Sequence, residues 1–179
     1  MKTIEIRKLI VAALCLALCL VLPFLTGQIP QIGNMLSPMH IPAFLCGFLC
    51  GWPYALLVGL IAPPLRFLLF QMPPLFPTGL SMMFELAAYG VSAALLSRVF
   101  PKKPAYLYVA LILSMLIGRA VWGAVRLVLM GVANIEFGWK LFFAGAFANA
   151  VPGILCHILV VPPVVMLVEQ AAMKNSHTA

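Results

Sequence analysis

The stretch 111–130, LILSMLIGRAVWGAVRLVLM, is apolar enough to cross a bilayer, yet it holds Arg119 and Arg126. On the insertion scale a central arginine costs about 2.5–3.5 kcal/mol, so two of them require compensation. Seven residues apart, they share one face of a helix, about 10 Å apart along its axis. Trp122 and Gly123 fall between them on that face. Intramembrane ionisable residues generally face an interior or a cavity, so this face predicts the wall of a polar pocket. The plainer alternative pairs one arginine with a carboxylate and lets the other snorkel to the headgroups.

Of the 179 residues, 64% are hydrophobic and 8% are charged, and the mean hydropathy is +1.13. A soluble domain carries about 25% charged residues, so this composition belongs to a chain solvated by lipid. The net charge of +7 is scattered rather than gathered into a stripe, which argues against a nucleic-acid partner. All five cysteines (Cys15, Cys19, Cys46, Cys50 and Cys156) lie in apolar segments. No histidine accompanies them at zinc-site spacing, so they read as small helix-packing residues, with neither a metal site nor a disulfide framework.

Lys2, Arg7 and Lys8 precede a first apolar run, 9–26, which is long for a signal peptide and lacks a small-x-small cleavage site. It reads as a membrane helix whose N-terminus faces the cytoplasm. Ala13 and Ala17 form a small-xxx-small pair on it, a spacing that allows another helix to approach closely. Residues 27–41, GQIPQIGNMLSPMHI, contain too much Gly and Pro for a continuous helix and form an outer loop carrying Asn34, Ser37 and His40.

Parity fixes the next element. Arg98, Lys102 and Lys103 in RVFPKKP belong on the same side as the basic N-terminus, which requires an even number of crossings between them. Gly51-Trp52-Pro53 therefore divides the apolar region into helices at 42–51 and 54–70, the first of them short and shielded by its neighbours. Helices at 79–97, 105–131 and 139–168 complete a bundle of six, with both termini cytoplasmic. Arg66 lies near the outer end of the third helix, and a proline-rich loop, 72–78, bears Phe76. Glu85, almost two turns into the fourth helix, is the one acid within a span, with Tyr89 one turn deeper. It serves as counter-ion to Arg66 or Arg119, as a ligand contact, or as both, since a carboxylate can orient an arginine that binds something else. The sixth helix carries Asn149, a Pro152-Gly153 kink site and, deeper, His157.

Asn34, His40, Arg66, Glu85, Arg126, Asn134 and Asn149 thus map to the outer half, with Arg119 nearest the middle. Phe76, Met82, Met83, Tyr89, Trp122, Met130 and Trp139 supply apolar walls around them. A few converging polar groups between apolar walls make a small-molecule site. No polar track continues through the inner half, as a channel would need, and no internal repeat of the kind carriers use is evident. The inference is a capture subunit that depends on a partner to move its ligand. Nothing suggests an enzyme: GxSxG, HExxH and paired acids are all missing. A structural or assembly subunit would account for the small-xxx-small faces but not for two arginines and a tryptophan on one face.

The segments GNMLSPMHIPAFLCGFLCGW, PPLRFLLFQMPPLFPTGLSMMFELAAYG and GRAVWG, with the Ala13/Ala17 pair, carry a family resemblance over nearly the whole chain. The chain resembles the substrate-binding membrane subunits, or S components, of energy-coupling factor (ECF) vitamin transporters. Within them it is similar to the subgroup labelled as pantothenate or uncharacterised vitamin components. The resemblance implies an all-α bundle of six membrane helices in a bacterial cell membrane. Its outward pocket would be formed by the first loop, the loop between helices three and four, and the outer ends of helices four to six. Asn34, His40, Arg66, Phe76, Glu85, Tyr89, Arg119, Trp122, Arg126 and Asn149 are then the candidate substrate contacts. The family is thought to deliver its ligand by toppling against a transmembrane coupling subunit driven by two cytoplasmic ATPases, and Ala13 and Ala17 match its docking motif. The chain has no GxxxxGK[ST], so ATP would be bound by those partners and no cofactor by this subunit. Three arginines favour a carboxylate or phosphate on the ligand. Pantothenate fits that charge, while the aromatic and methionine walls also suit a flat heterocycle such as a cobalamin precursor.

Overall fold

The computed structural model describes residues 2–26, 36–133 and 151–177. Its helices are α1 (Lys2–Val21, closing in a 3-10 turn at Leu22–Thr26), α2 (His40–Cys50), α3 (Trp52–Phe70), α4 (Leu80–Val99), α5 (Pro104–Val132) and α6 (Val151–His177). No strand occurs among the described residues. In hydrocarbon no water satisfies the backbone, so apolar runs of this length close their hydrogen bonds within the segment as helices. Among the described residues five helices are long and apolar enough to cross a membrane, and the chain is a multi-pass membrane protein. The exception, α2, has 11 residues and spans about 16 Å, roughly half a bilayer core.

α2 is central. It packs against α1, α3, α4 and α6, and Ala43, Phe44 and Cys46 on it are completely buried. Lipid provides no hydrophobic drive for helices to associate, so close packing must supply the attraction, and small residues permit it. A Cβ on Gly47 would collide with the carbonyl oxygen of Gly90, so α2 and α4 touch backbone to backbone there. Pro53 and Pro104 stand in the first turns of α3 and α5, where a missing N–H costs nothing.

Side-chain contacts define the two ends of the bundle. At one end Lys8, Gly51, Arg98, Lys102, Lys103 and Glu169 line a single cleft, and the Tyr54 hydroxyl donates to Glu5 Oε2 at 3.2 Å. At the other, Arg66 donates to the Leu20 carbonyl, and His157 lies against the Ser37 carbonyl. Successive helices therefore run in alternating directions. The N-terminus, the 98–103 segment and the end of α6 share one end, as the even-crossing argument requires.

Helix ends depart from expectation where nothing stops the helix. α1 begins at Lys2 rather than at residue 9, because KTIEIRK contains no breaker. α6 runs to His177 rather than 168, through Glu169, Gln170 and two alanines, all helix formers or tolerant of helix. Residues 139–150 lie outside the described residues. The expected loop at 72–78 is partly structured: Leu75–Gly79 forms one π turn, with Phe76 extended inside it (φ −114°, ψ 134°), leading into α4.

Candidate functional site

Glu85 is 1% exposed and sits in the second turn of α4. Tyr89, one turn on, donates its hydroxyl to Glu85 Oε1 at 2.8 Å. Arg119 of α5 brings Nη1 to the same oxygen at 3.0 Å. The ring of Tyr89 fits because α5 has Gly118 opposite it, where a Cβ would run into the ring carbons. His40, the first residue of α2, places Nε2 3.6 Å from Glu85 Oε2. That nitrogen is buried and has no hydrogen-bond partner among the described residues.

α6 contributes His157, which is 5% exposed. Its ring lies 5.8 Å from that of His40, and its Nε2 is 3.4 Å from the Ser37 carbonyl oxygen. Phe44 fills the space beneath, 4.7 Å from the Tyr89 ring and 5.7 Å from His157. One buried acid is thus surrounded by groups from α2, α4, α5 and α6. Among the described residues no three His, Cys, Asp or Glu side chains converge in metal-binding geometry.

The arginine face of α5 is realised as a stack. Trp122 stands between the guanidinium carbons of Arg119 and Arg126, at 5.7 Å and 5.3 Å from its ring. The two arginines differ in charge balance. Arg119 is neutralised by Glu85. Arg126 is half-buried and, among the described residues, joins no ion pair. A half-buried cation beside an aromatic face, outside any ion pair among the described residues, can receive an anion or a polar ligand group.

Other candidate contacts lie elsewhere. Arg66, 3% exposed, is not a counter-ion of Glu85. Its guanidinium donates to the Leu20 carbonyl and lies 5.2 Å from each of the Phe24 and Phe70 rings. It closes the end of α1, where helix carbonyls lack intrahelical donors. Phe76 is 46% exposed in the turn before α4. Asn34 and Asn149 fall outside the described residues. The structure therefore brings together His40, Glu85, Tyr89, Arg119, Trp122 and Arg126, and adds Phe44 and His157. His157 had a signal, an ionisable residue within a span; Phe44 had none. On α1, Ala13 and Ala17 are exposed, while Ala12, Cys15 and Cys19 are buried in the bundle.

A family model described as "ECF transporter, substrate-specific component" matches residues 7–165. No curated protein and no solved structure matches the chain.

Proposed function

The chain belongs to the ECF transporter substrate-specific component family, and from that premise we propose that it captures a small water-soluble vitamin or vitamin precursor bearing an anionic group. The observation that carries this reading is the unequal pair on α5: Arg119 is ion-paired to Glu85, whereas Arg126 stands beside Trp122 and joins no ion pair among the described residues. The anionic group of the ligand docks on Arg126, its body lies along Trp122, and His40 offers a further polar contact. Pantothenate, a carboxylate on a short polar body, is the favoured ligand, since guanidinium binds a carboxylate through two parallel hydrogen bonds. Another vitamin or a cobalamin precursor is the second reading, supported by the aromatic side chains around the site.

The subunit sits in a bacterial plasma membrane with its Lys8 end in the cytoplasm, a reading supported by the basic residues gathered at that end. It performs no chemistry. A transmembrane coupling subunit and two ATPases hydrolyse ATP and move the ligand as the capture subunit topples. The test is a melting-temperature screen of the purified chain against vitamins and their precursors. A ligand at 100 times its Kd stabilises the folded state by about 2.7 kcal/mol. Pantothenate should give the largest shift. A shift by another anionic vitamin changes the ligand, and no shift with any of them leaves the structural or assembly role.

Docking gives a separate expectation. Ala13 and Ala17 are exposed on α1, away from the Glu85 cluster, and small residues admit a close helix partner. Ala13→Leu or Ala17→Leu should leave ligand affinity of the isolated subunit unchanged and abolish uptake by the assembled transporter. Loss of affinity alongside uptake would remove the docking role.

A further inference from the structure

Away from the Glu85 cluster, at the Lys8 end, the helices leave a cleft of about 700 Å3. Lys8, Arg98, Lys102 and Lys103 line it, against a single acid, Glu169. None of these five joins an ion pair among the described residues. The exposed side chain of Arg98 lies over the turn between α2 and α3. Gly51 there has φ +94°, and a Cβ on it would sit 3.4 Å from Arg98 Nη2. The positive φ favours glycine at this turn, and the Arg98 guanidinium lies within van der Waals reach of it.

The walls below this basic mouth are apolar. Phe48, Ala94, Leu107, Ala110 and Val165 line the same cleft, and Ala94, Ala110 and Val165 are buried. Unpaired cations around an opening would suit any phosphate or carboxylate. Apolar walls descending between membrane helices have no use for a free ion, but they accommodate an acyl chain. Basic pockets between helices at a membrane surface hold acidic lipid headgroups in this manner. The ends of α4 and α5 that form the mouth lie where headgroups begin, since both helices are of spanning length.

We propose that this cleft binds one acidic phospholipid, with its phosphate among Arg98, Lys102 and Lys103 and an acyl chain along the apolar wall toward Val165. The site is separate from the substrate cluster and does not rest on which vitamin is captured.

The test uses the full chain in neutral detergent micelles. Retention of phosphatidylglycerol is measured by native mass spectrometry and by melting temperature, against phosphatidylcholine of the same acyl chains and against inorganic phosphate. Phosphatidylglycerol should be retained at one per chain and raise the melting temperature, while neither comparison does. Removing each cation should weaken retention about fivefold. The variants are Arg98→Gln and the pair Lys102→Gln with Lys103→Gln, the latter on exposed positions where folding is undisturbed. Arg7→Gln, an exposed cation at the same end but outside the cleft, should retain lipid like the parent. Equal stabilisation by inorganic phosphate would assign the cleft to free phosphate and overturn the lipid. Parental retention by the cleft variants, or an equal loss with Arg7→Gln, would reduce the effect to general surface charge and overturn the site.

Discussion

Glu85→Ala is expected to destabilise the folded protein by about 3–5 kcal/mol, the range for removing one partner of a buried ion pair. The acid is 1% exposed, and among the described residues it is the acceptor for both Arg119 Nη1 and the Tyr89 hydroxyl. Without it a guanidinium remains between packed helices with no counter-charge. The hydrogen bond from Tyr89 is the lesser part. Side-chain hydrogen bonds between membrane helices average about 0.6 kcal/mol, and with the Tyr89 bond on that scale Tyr89→Phe should cost well under the loss of the acid. Replacing both charged partners, Glu85→Gln with Arg119→Met, should recover much of the stability lost in Glu85→Ala, because no unpaired charge is left. Denaturation of the purified protein in one detergent checks all three. Parental melting of Glu85→Ala would mean that the pair contributes nothing to the bundle.

Arg126→Ala should act on the ligand instead. Truncating one member of a buried charged contact costs about 2–5 kcal/mol of binding, or roughly 30-fold to several thousandfold in Kd. Stability should change little, since Arg126 joins no ion pair among the described residues. Arg126→Lys keeps the charge but loses the planar fork, so it too should weaken binding. Trp122→Ala removes the ring that both arginines stack on, and affinity should fall with it. Arg119→Ala should mainly lower the yield of folded protein by stranding Glu85. Affinities for the identified vitamin, each on monodisperse protein, separate these roles. If Arg126→Ala, Arg126→Lys and Trp122→Ala all bind like the parent, this face is packing only. The ligand site must then be sought around His40, Phe76 and Asn149.

What could be read in advance were relations within a helix. A 3.6-residue period places Tyr89 one turn from Glu85, and Trp122 between Arg119 and Arg126, whatever surrounds them. Hydropathy and the basic residues likewise disclose six helices, the break at Gly51 and the enclosed short α2. Relations between helices were not legible. Hydropathy reports how each helix is rotated against lipid but not which neighbour it meets at which depth, so Glu85 had two possible arginines. Arg66 chose a backbone carbonyl, an acceptor that every residue carries and no sequence pattern marks. Phe44 and His157 joined the cluster through the central position of α2, which follows from glycine contacts such as Gly47 against Gly90. Helix ends at Lys2 and His177 were missed because apolarity marks where lipid stops, not where hydrogen bonding does.

The clamp on α1 has a mechanical consequence. Arg66 fastens one end of α1 to α3 through the Leu20 carbonyl, between Phe24 and Phe70. Near the opposite end, the Tyr54 hydroxyl ties α3 to Glu5. Tyr54 and Arg66 lie about 18 Å apart along α3, so the two helices are pinned at widely separated points and resist shearing past one another. A load applied to the exposed alanine face of α1 is then borne by both helices as a single beam. That beam packs in turn against α4, which carries Glu85, so the exposed alanine face and the buried acid belong to one packed unit.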